Sequence, residues 1–172
     1  MEILGIDIGG TGIKGAIVDS LTGEIISDRF RIPTPQPATP NNVSQTLKSF
    51  IKEFQWKGPV GISFPTIIKN GKAMHFGNLD PLWQFIQVDT LFKSITGNDY
   101  YVVNDADAAA IGIVESGLLS GNKTVGIMPI GTGLGFTVWR NGRRWRPGKI
   151  LNLLGSIRTP SGFYDNIASA SK

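Results

Sequence analysis

The sequence predicts an α/β fold built from two related lobes. Glycine-rich turns at Gly10-Thr11-Gly12 and Gly131-Thr132-Gly133 each lie between two apolar runs, and a further turn follows each copy, at Thr22-Gly23 or Asn141-Gly142. Helical patterns separate the two copies. Composition agrees: 172 residues with 41% hydrophobic content can build a core, and 22 glycines beside only 17% charged residues imply many tight turns or close backbone approaches.

Taken in order, residues 2–8 read as a strand, Gly9 to Gly12 as a turn, and residues 13–19, with Ile13, Ala16, Ile17 and Val18, as a second strand. Glu24 to Ile32 is expected to add a third and complete an antiparallel meander. "PTPQPATPNN" is rich in proline and reads as an extended surface connection. A helix should start near Asn41 or Asn42, since Val43, Leu47, Phe50, Ile51 and Phe54 share one face. "GPVGISFP" is a short buried strand, "IIKNGKAMHF" a hairpin about Asn70-Gly71, and "QVDTLFKSIT" a helix ending at Gly97. "DYYVVND" is another strand, and "ADAAAIGIVESGLLSG" an alanine-rich helix closed by Gly121. "KTVGIMPIGTGLGFTVWRNGRRW" repeats strand, glycine turn, strand and Asn-Gly turn, and the tail "TPSGFYDNIASASK" is expected to hold a short helix.

The absence of cysteine excludes disulfides and thiolate zinc sites and suits a cytoplasmic protein. No apolar stretch is long enough to span a bilayer, and Met1 leads straight into a strand pattern, so a membrane partner is not expected. A net charge of +4 favours anionic ligands without separating polyphosphate, nucleotide and nucleic acid.

The turns point to phosphate. Neither glycine turn has the Gly-Lys-Ser/Thr ending of a P-loop, and each leads into a strand rather than a helix. Phosphate would therefore be held by the backbone N–H groups of Gly9, Gly10, Thr11 and Gly12, with the Thr11 hydroxyl and the Lys14 ammonium. Asp7 ends the first strand and could hold a hydrated Mg2+ that neutralises phosphate. The plainer alternative is a simple hairpin in which Asp7 accepts hydrogen bonds from the turn. Gly131, Thr132, Gly133 and Gly135 form the second copy, as gripping an anion from two sides would require.

In this order, "DIGGTGIKGAIVD", "GISFPT", "NLDPLW", "VVNDADAAA" and "GTGLG" resemble the polyphosphate glucokinases of the ROK group of sugar kinases. The resemblance implies an actin-like, ribonuclease H-like two-lobed sugar-kinase fold with a shortened second lobe. Residues 1–104 would form the N-terminal lobe with the first phosphate loop, and residues 105–172 a partial C-terminal lobe with the second. It further implies phosphoryl transfer from polyphosphate or ATP to the 6-hydroxyl of glucose or a similar hexose, assisted by Mg2+, in a homodimer. Carried over by position, Asp105 is the general base, and Asn104, Pro65, Thr66 and Asn78 contact the sugar. One carboxylate orienting the nucleophile is what such a transfer needs. On the residues alone, Asp105 or Asp107 capping a helix stays open, as does a turn with a Trp83 anchor for Asn78 and Asp80. His75 reads as a surface or packing residue.

Three departures complicate the resemblance. Thr66 stands where the family usually has glycine. Leu153-Leu154-Gly155-Ser156 stands where it carries Glu-Leu-Gly-His, so two sugar ligands are missing, and the chain stops short of the family's usual length. A homologue that binds polyphosphate or nucleotide without catalysis is therefore the alternative. A weaker one is single-stranded nucleic-acid binding by "WRNGRRWRPGK", where Arg140, Arg143, Arg144, Arg146 and Lys149 interleave with Trp139 and Trp145.

Overall fold

Strict alternation shapes the first strand. β1 (Glu2–Ile8) buries Leu4, Ile6 and Ile8 and leaves Asp7 exposed on the other face. It pairs antiparallel with β2 (Gly12–Asp19), which pairs antiparallel with β3 (Phe30–Pro33). On its other side β1 runs parallel to β4 (Val60–Phe64), and β4 to β7 (Tyr100–Asn104), giving the order β3-β2-β1-β4-β7. The computed structural model describes residues 1–117, 124–130, 134–141, 143–145, 158–160 and 162–163. The chain divides into two compact units, Met1–Asp105 and Ala106–Lys172.

In the first unit, α1 (Pro40–Glu53) starts at Thr39, whose side chain accepts from the Asn42 N–H, with Pro40 in the first helical position. It buries Val43, Leu47 and Phe50, the face that its periodicity predicts. A hairpin of β5 (Ile68–Lys69) and β6 (Lys72–Ala73) turns at Asn70-Gly71, both with positive φ, as the sequence predicts. A 3-10 turn (Pro81–Trp83) and α2 (Val88–Thr96) follow, and α2 ends on Gly97 in the left-handed region. Trp83 is fully buried, its ring edge-on to both Phe64 and Phe92, and its Nε1 donates to the Ala38 carbonyl at 2.8 Å.

The third strand is shorter than expected. Between Glu24 and Arg29 there is one bridge, Val18↔Ile25, because the Ser27 hydroxyl accepts from the Ile17 N–H at 2.9 Å and takes the donor that the ladder needs. Nor is the proline-rich connection only a surface strap, since Thr34 and Ala38 are buried.

In the second unit, α3 (Asp105–Glu115) is followed by a turn at Gly117, with φ +75°, earlier than the expected stop at Gly121. β8 (Thr124–Ile127), β9 (Thr137–Arg140) and β10 (Arg143–Trp145) form an antiparallel sheet, with Asn141 at positive φ between the last two. A further pair joins β11 (Arg158–Thr159) and β12 (Gly162–Phe163). The repeat is imperfect. β1 and β2 pair up to Ile8↔Ile13 at the turn, whereas β8 and β9 stop at Ile127↔Thr137, with a single bridge Ile130↔Leu134 beyond. Pro129, which has no N–H, lies in that gap. The expected helix in the tail lies outside the described residues.

Candidate active site

Parallel pairing brings the ends of β1, β4 and β7 to one edge of the first sheet. Asp7 is in register with Ser63, Ser63 with Val103, and Phe64 with Asn104. The chain leaves β1 for β2 on one side and has β4 on the other, so this edge lies at a reversal of strand order, where open α/β sheets bind ligands.

The partner of Asp7 is Ser63, whose hydroxyl donates to Oδ1 at 2.8 Å, and not the glycine turn. The turn closes on itself, with the Gly9 N–H donating to the Gly12 carbonyl at 3.1 Å. The buried Thr34 clamps it from the proline-rich segment, its hydroxyl donating to the Gly9 carbonyl and its N–H to the Thr11 carbonyl. Thr11 and Lys14 are exposed. Thr34 carries no local sign of this role in the sequence. As a metal site, Asp7 fits a hydrated ion: Mg2+ is commonly held by one or two carboxylates plus waters and phosphate oxygens. Among the described residues no group of three His, Cys, Asp or Glu could enclose a bare ion.

Asn104 is buried at the end of β7 and ties two neighbours together. Its Nδ2 donates to the Thr66 carbonyl at 3.0 Å and to the Asp105 carboxylate at 2.8 Å. Asp105 is exposed at residue level, and its carboxylate accepts this hydrogen bond from Asn104. Thr66 is buried and contributes its carbonyl to this network.

Gly77, like Thr34, has a role that sequence reading missed. It has φ +59°, and a Cβ there would sit 1.9 Å from the Pro65 carbonyl oxygen. Only glycine lets the two loops meet, and their meeting puts Asn78 beside the Pro65-Thr66 segment. The available signal was a lone glycine outside any predicted element. Asn78 is exposed, while Asp80 caps the 3-10 turn by accepting from the Leu82 N–H at 2.9 Å, as in the Trp-anchored reading. His75 stacks on Phe76 and accepts from the Gly77 N–H, a packing role.

In the second unit, Gly131, Thr132 and Gly133 lie outside the described residues, as do Leu153, Ser156, Arg146 and Lys149. Gly135 donates its N–H to the Pro129 carbonyl at 3.0 Å, and a Cβ there would meet Ala106 and Pro129. Asp107 is buried, accepting from the Thr137 hydroxyl at 3.1 Å and forming an ion pair with Arg144. One arginine of the Arg/Trp hairpin is thus engaged inside its own unit, while Arg140 and Arg143 are exposed.

Asp19, Lys93 and Tyr100 have displaced pKa values. Hydrogen bonding from the Leu21 N–H, chiefly, lowers Asp19. A hydrogen bond and ion pair with Asp99 raise Lys93, and burial raises Tyr100.

Comparisons with known proteins place these features in a family. The ROK family pattern matches residues 3–150. The polyphosphate glucokinase of Mycobacterium tuberculosis (strain H37Rv) is 39% identical over 142 residues, covering 80% of this chain and 53% of that protein. That of Mycobacterium leprae (strain TN) is 36% identical over 143 residues, covering 81% of this chain and 44% of its own length. The chain therefore spans about half the length of these relatives. Among solved structures, the inorganic polyphosphate/ATP-glucomannokinase from Arthrobacter sp. strain KM superposes with a TM-score of 0.88 at 36% identity, covering 98% of this chain and 68% of that one. A ROK family glucokinase from Streptomyces griseus, in complex with glucose and AMPPNP, gives 0.83 at 27% identity, covering 98% and 57%. With a pattern match over most of its length and a fold shared with these sugar kinases, the chain belongs to the ROK family.

Proposed function

We propose that the chain is a phosphotransferase, carrying a phosphate turn and a base, that moves a phosphoryl group from polyphosphate or ATP to the 6-hydroxyl of glucose. The observation that carries this is the network in which Asn104 holds both the Asp105 carboxylate and the Thr66 carbonyl. The names of the mycobacterial and Arthrobacter relatives supply the donor and acceptor classes.

In this reading the hexose lies against Pro65, Thr66, Asn78 and Asn104, with its 6-hydroxyl at Asp105. The hydroxyl oxygen attacks the terminal phosphorus, the bond to the bridging oxygen breaks, and the hydroxyl proton passes to Asp105. Asn104 fixes the carboxylate so that little reorganisation is needed. The N–H groups of Gly10, Thr11 and Gly12, the Thr11 hydroxyl and Lys14 hold the donor phosphates, while the Gly9 N–H, expected to join them, is taken by the Gly12 carbonyl and shapes the turn instead. Asp7 would hold Mg2+ through water, and the ion would supply charge neutralisation at the phosphates. Gly131, Thr132 and Gly133, outside the described residues, are assigned to phosphate on their sequence pattern alone. The resemblance to the family supports a homodimer and a cytoplasmic setting as part of this proposal. Among the described residues no helix is long and apolar enough to cross a membrane.

The test is glucose 6-phosphate formation with Mg2+ and either ATP or polyphosphate. Product with one or both donors supports the reading; glucose binding with no product from either donor overturns it in favour of a binding-only homologue.

A further inference from the structure

The register of the first sheet lines up four polar side chains. Ser63, Asp7, Lys14 and Arg31 are successive partners across β4, β1, β2 and β3, and in-register partners share a face. Asp7, Lys14 and Arg31 are exposed. Among the described residues the ion pairs are Met1–Asp19, Lys93–Asp99 and Arg144–Asp107, so neither Lys14 nor Arg31 is paired with a carboxylate there. Two cations directly opposite each other in a ladder repel, and an anion lying between them would relieve that repulsion.

Arg31 does not point away into solvent. A Cβ on Gly12 would sit 2.8 Å from Arg31 Nη2 and 2.9 Å from Nε, so the guanidinium fork is laid against the end of the glycine turn. That fork matches the oxygens of a phosphate group, and Lys14 adds a point charge one strand away, at a spacing of about 4.8 Å.

We propose that Lys14 and Arg31 form a second phosphate position beside the Gly9–Gly12 turn, which takes the neighbouring phosphate of a linear inorganic polyphosphate. The inference rests on the reading of that turn as the donor site. A row of cations continuing from the turn suits a ligand whose negative charge repeats along its length. Gly12 is part of the device, because a methyl group there displaces the end of a flexible side chain and leaves the backbone in place.

Calorimetric titration of the full chain with orthophosphate, tripolyphosphate and a long-chain polyphosphate, with Mg2+ present, tests this. The wild type should bind the linear phosphates more tightly than orthophosphate. Arg31→Ala should weaken tripolyphosphate and long-chain binding by about tenfold, or ~1.4 kcal/mol, with little change for orthophosphate. Arg31→Lys should fall between, and Gly12→Ala should copy Arg31→Ala for the linear phosphates. Circular dichroism checks that each variant is folded. Arg31→Ala with unchanged polyphosphate affinity, or with equal loss for orthophosphate, overturns the second position, as does a wild type that binds no linear phosphate. Arg31-dependent polyphosphate binding without glucose turnover would sustain this site while removing the kinase reading.

Discussion

Replacing Gly77 with alanine tests whether the two loops at the proposed sugar site are assembled as described. At φ +59° an alanine costs about 1 kcal/mol in backbone conformation. Its Cβ would also lie 1.9 Å from the Pro65 carbonyl oxygen, a backbone atom that moves only with the loop. Forcing that shift costs a further ~1–3 kcal/mol, for a total of about 2–4 kcal/mol. Gly97→Ala is the matched control: φ is +85°, nothing lies within 4 Å of the added Cβ, and only the backbone cost of about 1 kcal/mol should appear. Both positions lie in the first unit, so urea unfolding reads them on one transition. With a slope of ~1–3 kcal/mol per molar, the Gly77→Ala midpoint should fall below that of Gly97→Ala by roughly 1 M. Glucose affinity should fall with Gly77→Ala alone. Equal midpoints and equal glucose affinities for the two variants would refute the packing of Gly77 on Pro65 as the element that assembles this loop.

Two further predictions concern the units separately. Burial raises the Tyr100 phenol above its usual 10.0, so above that pH the folded state retains a proton that the unfolded state releases. Its stabilising contribution is whole below about pH 10 and is lost as pH climbs through the raised value, and Tyr100→Phe should flatten this alkaline decline in unfolding free energy. In the second unit, Arg144→Ala leaves the buried Asp107 carboxylate with only part of its support. With Arg144 about a third exposed, the loss should be roughly 2–4 kcal/mol in thermal unfolding, and adding Asp107→Asn should recover part of it by removing the charge.

Much of the scaffold was legible because local rules governed it. The β1–turn–β2 hairpin, the Val43, Leu47 and Phe50 face of α1, and the Asn70-Gly71 turn each follow from periodicity or φ preference within a few residues. What escaped depends on distant partners. Ser27 replaces a ladder donor for Ile17, and Thr34 reaches Gly9 across the proline-rich connection. Arg31 settles on Gly12 only because β3 pairs with β2, and Gly77 meets Pro65 only across the β5–β6 hairpin that lies between them. Asp107 resembled a helix cap in the sequence, yet it binds Thr137 and Arg144, thirty and thirty-seven residues further along. For Asn104 and Asp105 the motif supplied the expectation, and the fold supplied the hydrogen bond that joins them.

The most direct measurement of the central claim is the turnover of Asp105→Asn with glucose and either donor, beside its glucose affinity. With Asp105 as the base, kcat should fall about 10²–10⁴-fold, as loss of a positioned base gives, and glucose affinity should stay within a few-fold, because the proposed contacts from Asn104, Thr66 and Asn78 would remain. Turnover near that of the wild type would contradict it and place the base elsewhere.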